Sequence, residues 1–151
     1  MVNKFIHCMP VYQLIGLGLT LTLIFTSCTL SQKDEKTKFT NYFRQGEQLY
    51  IKHCSNCHQT NGTGLGRVYP PLKDSDYLKN NFERVICLMK YGMEGELMVN
   101  GLQYNQAMPG IPSLTDLELA EIATYIYNSW DNNQGLIEVK QVSRIINTCN
   151  Q

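Results

Sequence analysis

Cys54-Ser55-Asn56-Cys57-His58 places two thiols and an imidazole within five consecutive residues. Two thiols separated by two residues and followed at once by His are spaced to bind one porphyrin. Each sulfur adds to a vinyl group, and the imidazole lies under the iron. The same residue types admit two other chemistries. A structural zinc site needs a second ligand pair to close its four-coordination. Beyond residue 27 the only other His is His53, and the remaining Cys are isolated. A dithiol redox pair belongs in a βαβ context, and no such alternation is read along this chain. The expectation is one covalently bound haem c, since the motif occurs once. Cys54 and Cys57 attach it and His58 ligates its iron.

A proximal His leaves the second axial position to be filled. A Met thioether there raises the reduction potential and suits electron transfer. Beyond residue 27 the methionines are Met89, Met93, Met98 and Met108. Met89 falls on the apolar face of a predicted helix and reads as core. Met93 and Met98 flank glycines and read as packing over haem edges. Met108 lies 50 residues beyond His58, braced by Pro109, where a ligand is held rigidly. Met108 is the candidate distal ligand. His53 is too close to His58 in sequence to reach the opposite face of the same iron.

The elements that must position these groups follow from periodicity. Phe43, Gly46 (with Glu47), Tyr50 and Ile51 recur at spacings of three and four and predict a helix from Asn41 to Cys54. Gly46 costs about 1 kcal/mol against Ala inside a helix, which points to a close helix contact there. Asn61-Gly62, Gly64 and Gly66 make Gln59 to Tyr69 a loop. Tyr69-Pro70-Pro71-Leu72 is extended, because each proline disfavours helical geometry in the residue before it. Ser75 caps a short helix. Asn81 caps a longer one, with Phe82, Val85, Ile86 and Met89 on its apolar face. Tyr91 to Gln106 is irregular, with a small hairpin turning at Asn100-Gly101. Thr115 and Glu118 form a capping box for a helix from Asp116 to about Trp130. Ile137 to Ile146 is a last short helix.

The first 27 residues read as a secretion signal. An uncharged stretch from Cys8 to Ser27 follows Lys4 and ends in Ile24-Phe25-Thr26-Ser27-Cys28. That ending resembles a bacterial lipoprotein cleavage box, with Phe25 where Leu is more usual. Cleavage would leave lipid on Cys28 and the folded part on the periplasmic side of a membrane. An uncleaved anchor helix and a soluble secreted form are the alternatives; all three place the domain outside the cytoplasm. Residues 28–40 are polar and read as a tether. Residues 41–130 form the haem domain, and 131–151 a tail packing on it.

The whole chain has 13 Lys+Arg against 13 Asp+Glu. Loss of residues 1–27 removes Lys4 and no acid, leaving a formal charge of −1. No basic stripe is present, so nucleic acid is not an expected partner. Of the 6 Cys, Cys8 belongs to the signal, Cys28 to lipid, and Cys54 and Cys57 to haem. Cys87 and Cys149 remain, and an oxidising compartment favours a bridge between them. The alternative is Cys87 as a small buried hydrophobe. A folded part this small buries a marginal core, and a covalent haem supplies the missing apolar mass.

Over about residues 39–130 the chain resembles a class I, mono-haem cytochrome c of the bacterial type. Three blocks carry the resemblance: Gly46-Glu47-Gln48-Leu49-Tyr50 with the Cys54–His58 motif, Pro70-Pro71-Leu72, and Ala107-Met108-Pro109-Gly110 followed by Leu119 to Ile126. The resemblance implies an all-α fold with helices packed around the haem and the first and last helices crossing. Gly46 and Tyr50 would meet Ile122 and Tyr125 there. It also implies that the Pro70 carbonyl orients His58, that Leu72 lies on the haem and that Met108 is the distal ligand. The glycine-rich insert at 91–106 and the tail after Trp130 depart from the shortest family members.

The function expected is one-electron transfer in an extracytoplasmic respiratory or oxidoreductase chain, not catalysis. The partners expected are a membrane oxidase, reductase or dehydrogenase, with the membrane itself engaged through Cys28. The alternatives are a haem subunit of a larger dehydrogenase or oxidase, an open-site haem enzyme such as a peroxidase, and a redox or gas sensor. A closed distal site speaks against the enzyme, and the lack of an output domain against the sensor.

Overall fold

The computed structural model describes residues 26–149, with side chains from residue 33. The expected signal lies outside the described residues, and so does the side chain of Cys28. The chain divides into two units, Met1–Asp34 and Glu35–Gln151. The described part of the first is the start of a helix; the packing below is that of the second.

Helix α1 spans Thr26–His53. It begins well before the predicted Asn41, so the stretch 28–40 is helical where a tether was expected. The reason is chemical: Lys33 to Lys38 holds three Lys and one Glu, which lose little rotamer freedom in a helix. That preference carries no apolar period by which it could be recognised. Lys38 adds a tertiary contact, donating to Glu138 at 2.6 Å and lying over the Tyr42 ring.

The motif forms a single turn, α2 (Ser55–His58), which ends where Gln59 turns left-handed at φ 62°. Helix α3 (Asp76–Asn80) is capped by Ser75, whose hydroxyl accepts from the Leu78 amide at 3.1 Å. Helix α4 (Phe82–Tyr91) follows and buries Val85, Ile86, Leu88 and Met89. Asn81 stands at its N-cap without capping it; its side-chain amide instead donates to the Tyr77 carbonyl. Helix α5 (Asp116–Ile126) carries the expected capping box of Thr115 and Glu118. It stops short of the predicted Trp130. Asn128 exchanges two hydrogen bonds with Gly135 there, and Trp130 and Asp131 turn left-handed. Helix α6 (Val139–Ile146) lays Val142 and Ile145 into the core.

Four short strands complete the described elements. β2 (Leu97–Val99) pairs antiparallel with β3 (Leu102–Tyr104) across Asn100-Gly101, the predicted hairpin. Both turn residues have positive φ, 52° and 73°, which matches the twist of the flanking strands. β1 (Gly92–Met93) pairs antiparallel with β4 (Met108–Pro109), where irregular chain was expected. The architecture is thus mostly α, with two minimal sheets.

Helices α1 and α5 cross at Gly46. A Cβ on Gly46 would overlap the carbonyl oxygen of Glu121 and come within 2.9 Å of the Tyr125 Cβ. Only a hydrogen side chain lets the two backbones approach this closely. Around the crossing, the Tyr125 ring centroid stands 5.2 Å from Phe43, 5.2 Å from Tyr50 and 5.8 Å from Trp130. Cys87 on α4 and Cys149 beyond α6 are joined by a disulfide, with Cα atoms 5.8 Å apart.

Candidate haem site

The crossing of α1 and α5 presents the motif to an apolar cavity. Its volume is about 960 Å³, with the space open to solvent included. Cys54, Cys57 and His58 stand on its lining. So do Pro70 and Leu72 from the extended segment, Leu88 and Met89 from α4, and Met93 and Met108 from the β1–β4 pair. Ile122 and Ile126 reach it from α5. Met98 does not line it and is 55% exposed, so the reading of Met98 as packing over a haem edge is not met.

Local hydrogen bonds aim the motif. The amides of Cys57 and His58 both donate to the Cys54 carbonyl, at 3.2 and 3.0 Å. This puts the two thiols and the imidazole on one tight turn. Tyr50 is fully buried, and its hydroxyl donates to the Gln59 carbonyl at 2.6 Å, tying α1 to the end of that turn. Leu72 and Lys73 donate their amides to the Gly62 carbonyl at 2.8 and 2.9 Å, which folds the loop back over the motif. The fold-back brings the Pro70 carbonyl within 3.0 Å of His58 Nδ1. Proline's carbonyl is acceptor only, so Nδ1 carries the proton and Nε2 keeps its lone pair.

Burial holds the His58 imidazole below its ordinary value, against the opposing bond to Pro70. The neutral ring is the form that ligates a metal. The Cys54 thiol is pushed up to about 12, by burial first and then by Cys57. Both motif thiols are free and half-buried. Among the described residues no group of three His, Cys, Asp or Glu side chains is placed to hold a metal ion.

The donor set fits a covalent haem. Two free thiols stand at one wall, beside an imidazole with its outer nitrogen engaged and its inner one available. The remaining lining has no Lys, Arg, Asp or Glu, as a flat apolar macrocycle requires. Fold and site together define a c-type haem domain.

The chain belongs to the cytochrome c family, whose model matches residues 43–130. It carries one haem c, bonded through Cys54 and Cys57. Among its relatives is cytochrome c-552 of Thermus thermophilus, 33% identical over 89 residues, covering 56% of this chain and 67% of the relative. Another is the cytochrome c subunit of a quinone alcohol dehydrogenase from Gluconobacter oxydans, 27% identical over 107 residues. That match covers 68% of this chain but 22% of the subunit.

Sequence reasoning missed two contributors to the site. Tyr104 is buried on the cavity wall, and its position follows only from the hairpin register. Lys90 donates to the carbonyls of Pro112 and Leu114, fastening the loop after Met108. A lone Lys at a helix end gives no sequence signal for such a tertiary cap.

Proposed function

We propose that this protein is a one-electron carrier of an extracytoplasmic respiratory or oxidoreductase chain, in which His58 and Met108 would hold the iron of a bound haem. The observation that carries this reading is the placement of both residues on one apolar cavity with the two motif thiols. When bound, the haem supplies a metal that changes oxidation state by one electron with no bond made or broken. The chain's own residues do the rest. Cys54 and Cys57 fix the macrocycle, Pro70 orients His58, and Leu72, Leu88, Ile122 and Ile126 exclude water. Thioether and imidazole together set a raised potential. Cys28 carries lipid and keeps the domain at a membrane surface, within reach of an oxidase, reductase or dehydrogenase.

A second reading has one observation in its favour: a relative is named as the cytochrome c subunit of a quinone alcohol dehydrogenase. In that reading the chain is the haem subunit of a larger complex and passes electrons within it.

The test is a redox titration of the purified full chain with optical detection, combined with intact mass. The expected result is a single one-electron transition, a low-spin ferric spectrum with the weak far-red band of thioether ligation, and acyl chains on Cys28. A high-spin spectrum that binds added small ligands would instead favour an open-site haem protein over a carrier. Co-purification of a dehydrogenase in fixed ratio would establish the second reading.

A further inference from the structure

The β1–β4 pair sets two methionines opposite each other: in its register Met93 faces Met108 and Gly92 faces Pro109. Directly opposed residues on antiparallel strands project from the same face of the sheet, with Cβ atoms about 4.5–5.5 Å apart. Both methionines line the haem cavity. The close approach of the strands is built in. A Cβ on Gly92 would lie 2.5 Å from the Gly110 nitrogen, and one on Gly110 would lie 2.6 Å from the Gly92 nitrogen. The backbone therefore holds the two residues side by side.

Their surroundings differ from those of the other two methionines. Met89 is buried in the core cluster with Ile86 and Ile122. Met98 lies outside the cavity. Met93 and Met108 are half-buried and outside the core cluster. A Met side chain has three rotatable bonds and a polarizable sulfur. From adjacent positions on one strand pair, two such chains address the same face of the cavity.

We propose that the distal face has two interchangeable thioether ligands, Met108 and Met93, and that Met93 takes the axial position when Met108 is removed. This rests on the thioether-ligated reading above. Either sulfur would donate one lone pair to the iron of a bound haem, so replacing one by the other would make one bond for each bond broken, with no change of oxidation state.

The experiment compares haem-loaded full-length wild type, Met93→Leu, Met108→Leu and the double variant. The readouts are the far-red ferric band, the strongly upfield-shifted Met methyl resonance of the ferrous protein, and the midpoint potential. The expected result is that each single variant keeps a thioether signature, with the potential moved only modestly, and that the double variant loses it with a large fall in potential. Loss of the signature in Met108→Leu alone, to the level of the double variant, overturns the proposal and leaves Met108 standing as the ligand. Loss in Met93→Leu alone overturns both the proposal and the assignment of Met108. A signature that survives in the double variant does the same. Should Met108→Leu fail to accumulate, Met108→Ala is read in the same way. Failure of both to accumulate as low-spin holoprotein overturns the proposal, because a competent Met93 would supply the missing bond.

Discussion

Lys90 holds Pro112: its ammonium donates to the Pro112 carbonyl at 2.7 Å, and a second bond from the same nitrogen reaches the Leu114 carbonyl. Beside it the Ile111 amide donates to the Met89 carbonyl at 3.1 Å. Helix α4 thereby grips the loop that leaves Met108 and leads into the capping box of α5. The Met108 side of the cavity is held by one cation and by backbone pairing.

Lys90→Met should therefore loosen that loop without emptying the core. Hydrogen bonds from a charged donor are worth about 1.5–3 kcal/mol each. Water replaces part of this at the exposed Pro112, so a loss of roughly 1–3 kcal/mol is expected. The specific sign is a far-red thioether band that melts at lower temperature than the helical circular dichroism. Simultaneous loss of band and helix, at the wild-type temperature, would show that Lys90 does not hold the loop.

Gly46→Ala sets two effects against each other. Helix propensity favours Ala by about 1 kcal/mol. Overpacking typically costs about 1–3 kcal/mol, and here the obstacle is the backbone carbonyl of Glu121, which has no rotamer by which to withdraw. The steric term wins, so Gly46→Ala should lower stability in denaturant titrations by roughly 1–2 kcal/mol. Gln45→Ala, one residue away on the exposed face, should change it little. Equal stability of the two variants would contradict the close crossing.

The motif and most of each helix face were legible in the sequence because their signals are local, although Ile51, read onto the apolar face of α1, is 52% exposed. Five consecutive residues carry the haem attachment, and Thr115 with Glu118 announces a helix start. The β1–β4 pair was not legible. Two strands of two residues each offer no alternation, and nothing along the chain marks Gly92 and Gly110 for the close backbone approach that they serve. The early start of α1 was hidden for the opposite reason, since a charged helix has propensity but no apolar stripe. The contacts that link distant segments, such as Lys90 with Pro112 and Tyr50 with Trp130 at 5.5 Å between ring centroids, depend on tertiary placement and leave no pattern along the chain.

The capping box of α5 should give an acid-sensitive contribution to stability. The Glu118 carboxylate is held below its ordinary 4.5, first by the Thr115 amide and hydroxyl bonds and to a lesser degree by Lys52 and His53. A carboxyl depressed in the folded state contributes fully above its unfolded value and loses that contribution as pH falls through the folded one. Glu118→Gln keeps a capping side chain in both forms, so its stability should be flatter below pH 4.5. Glu121 moves the other way, raised by burial and then by the Glu118 charge. Both proteins are therefore compared in a Glu121→Gln background. Parallel stability curves below pH 4.5 would rule the effect out.

The Cys87–Cys149 bridge closes a separation of 62 residues and fastens the chain just beyond α6 to α4, the helix that lends Leu88 and Met89 to the cavity. In the chain-entropy picture a loop of that length is worth about 4 kcal/mol, and measured bridges commonly give about 2–4. The tail has holds of its own: Val142 and Ile145 are buried in the core, Ser143 donates to Asp116, and Lys38 pairs with Glu138. Removal of the bridge should therefore destabilise the fold without detaching α6 outright. Cys87→Ser with Cys149→Ser should lower unfolding free energy by roughly 2–4 kcal/mol, keep the haem attached through Cys54 and Cys57, and leave the native optical spectrum unchanged at low temperature. The measurement is a denaturant titration of oxidised wild type against the double variant, with alkylation mass shifts to establish that wild type has no free thiol at either position. Equal midpoints for the two proteins, with the wild-type bridge intact, would show that α6 is held by packing, by the Ser143–Asp116 bond and by Lys38 without help from the bridge.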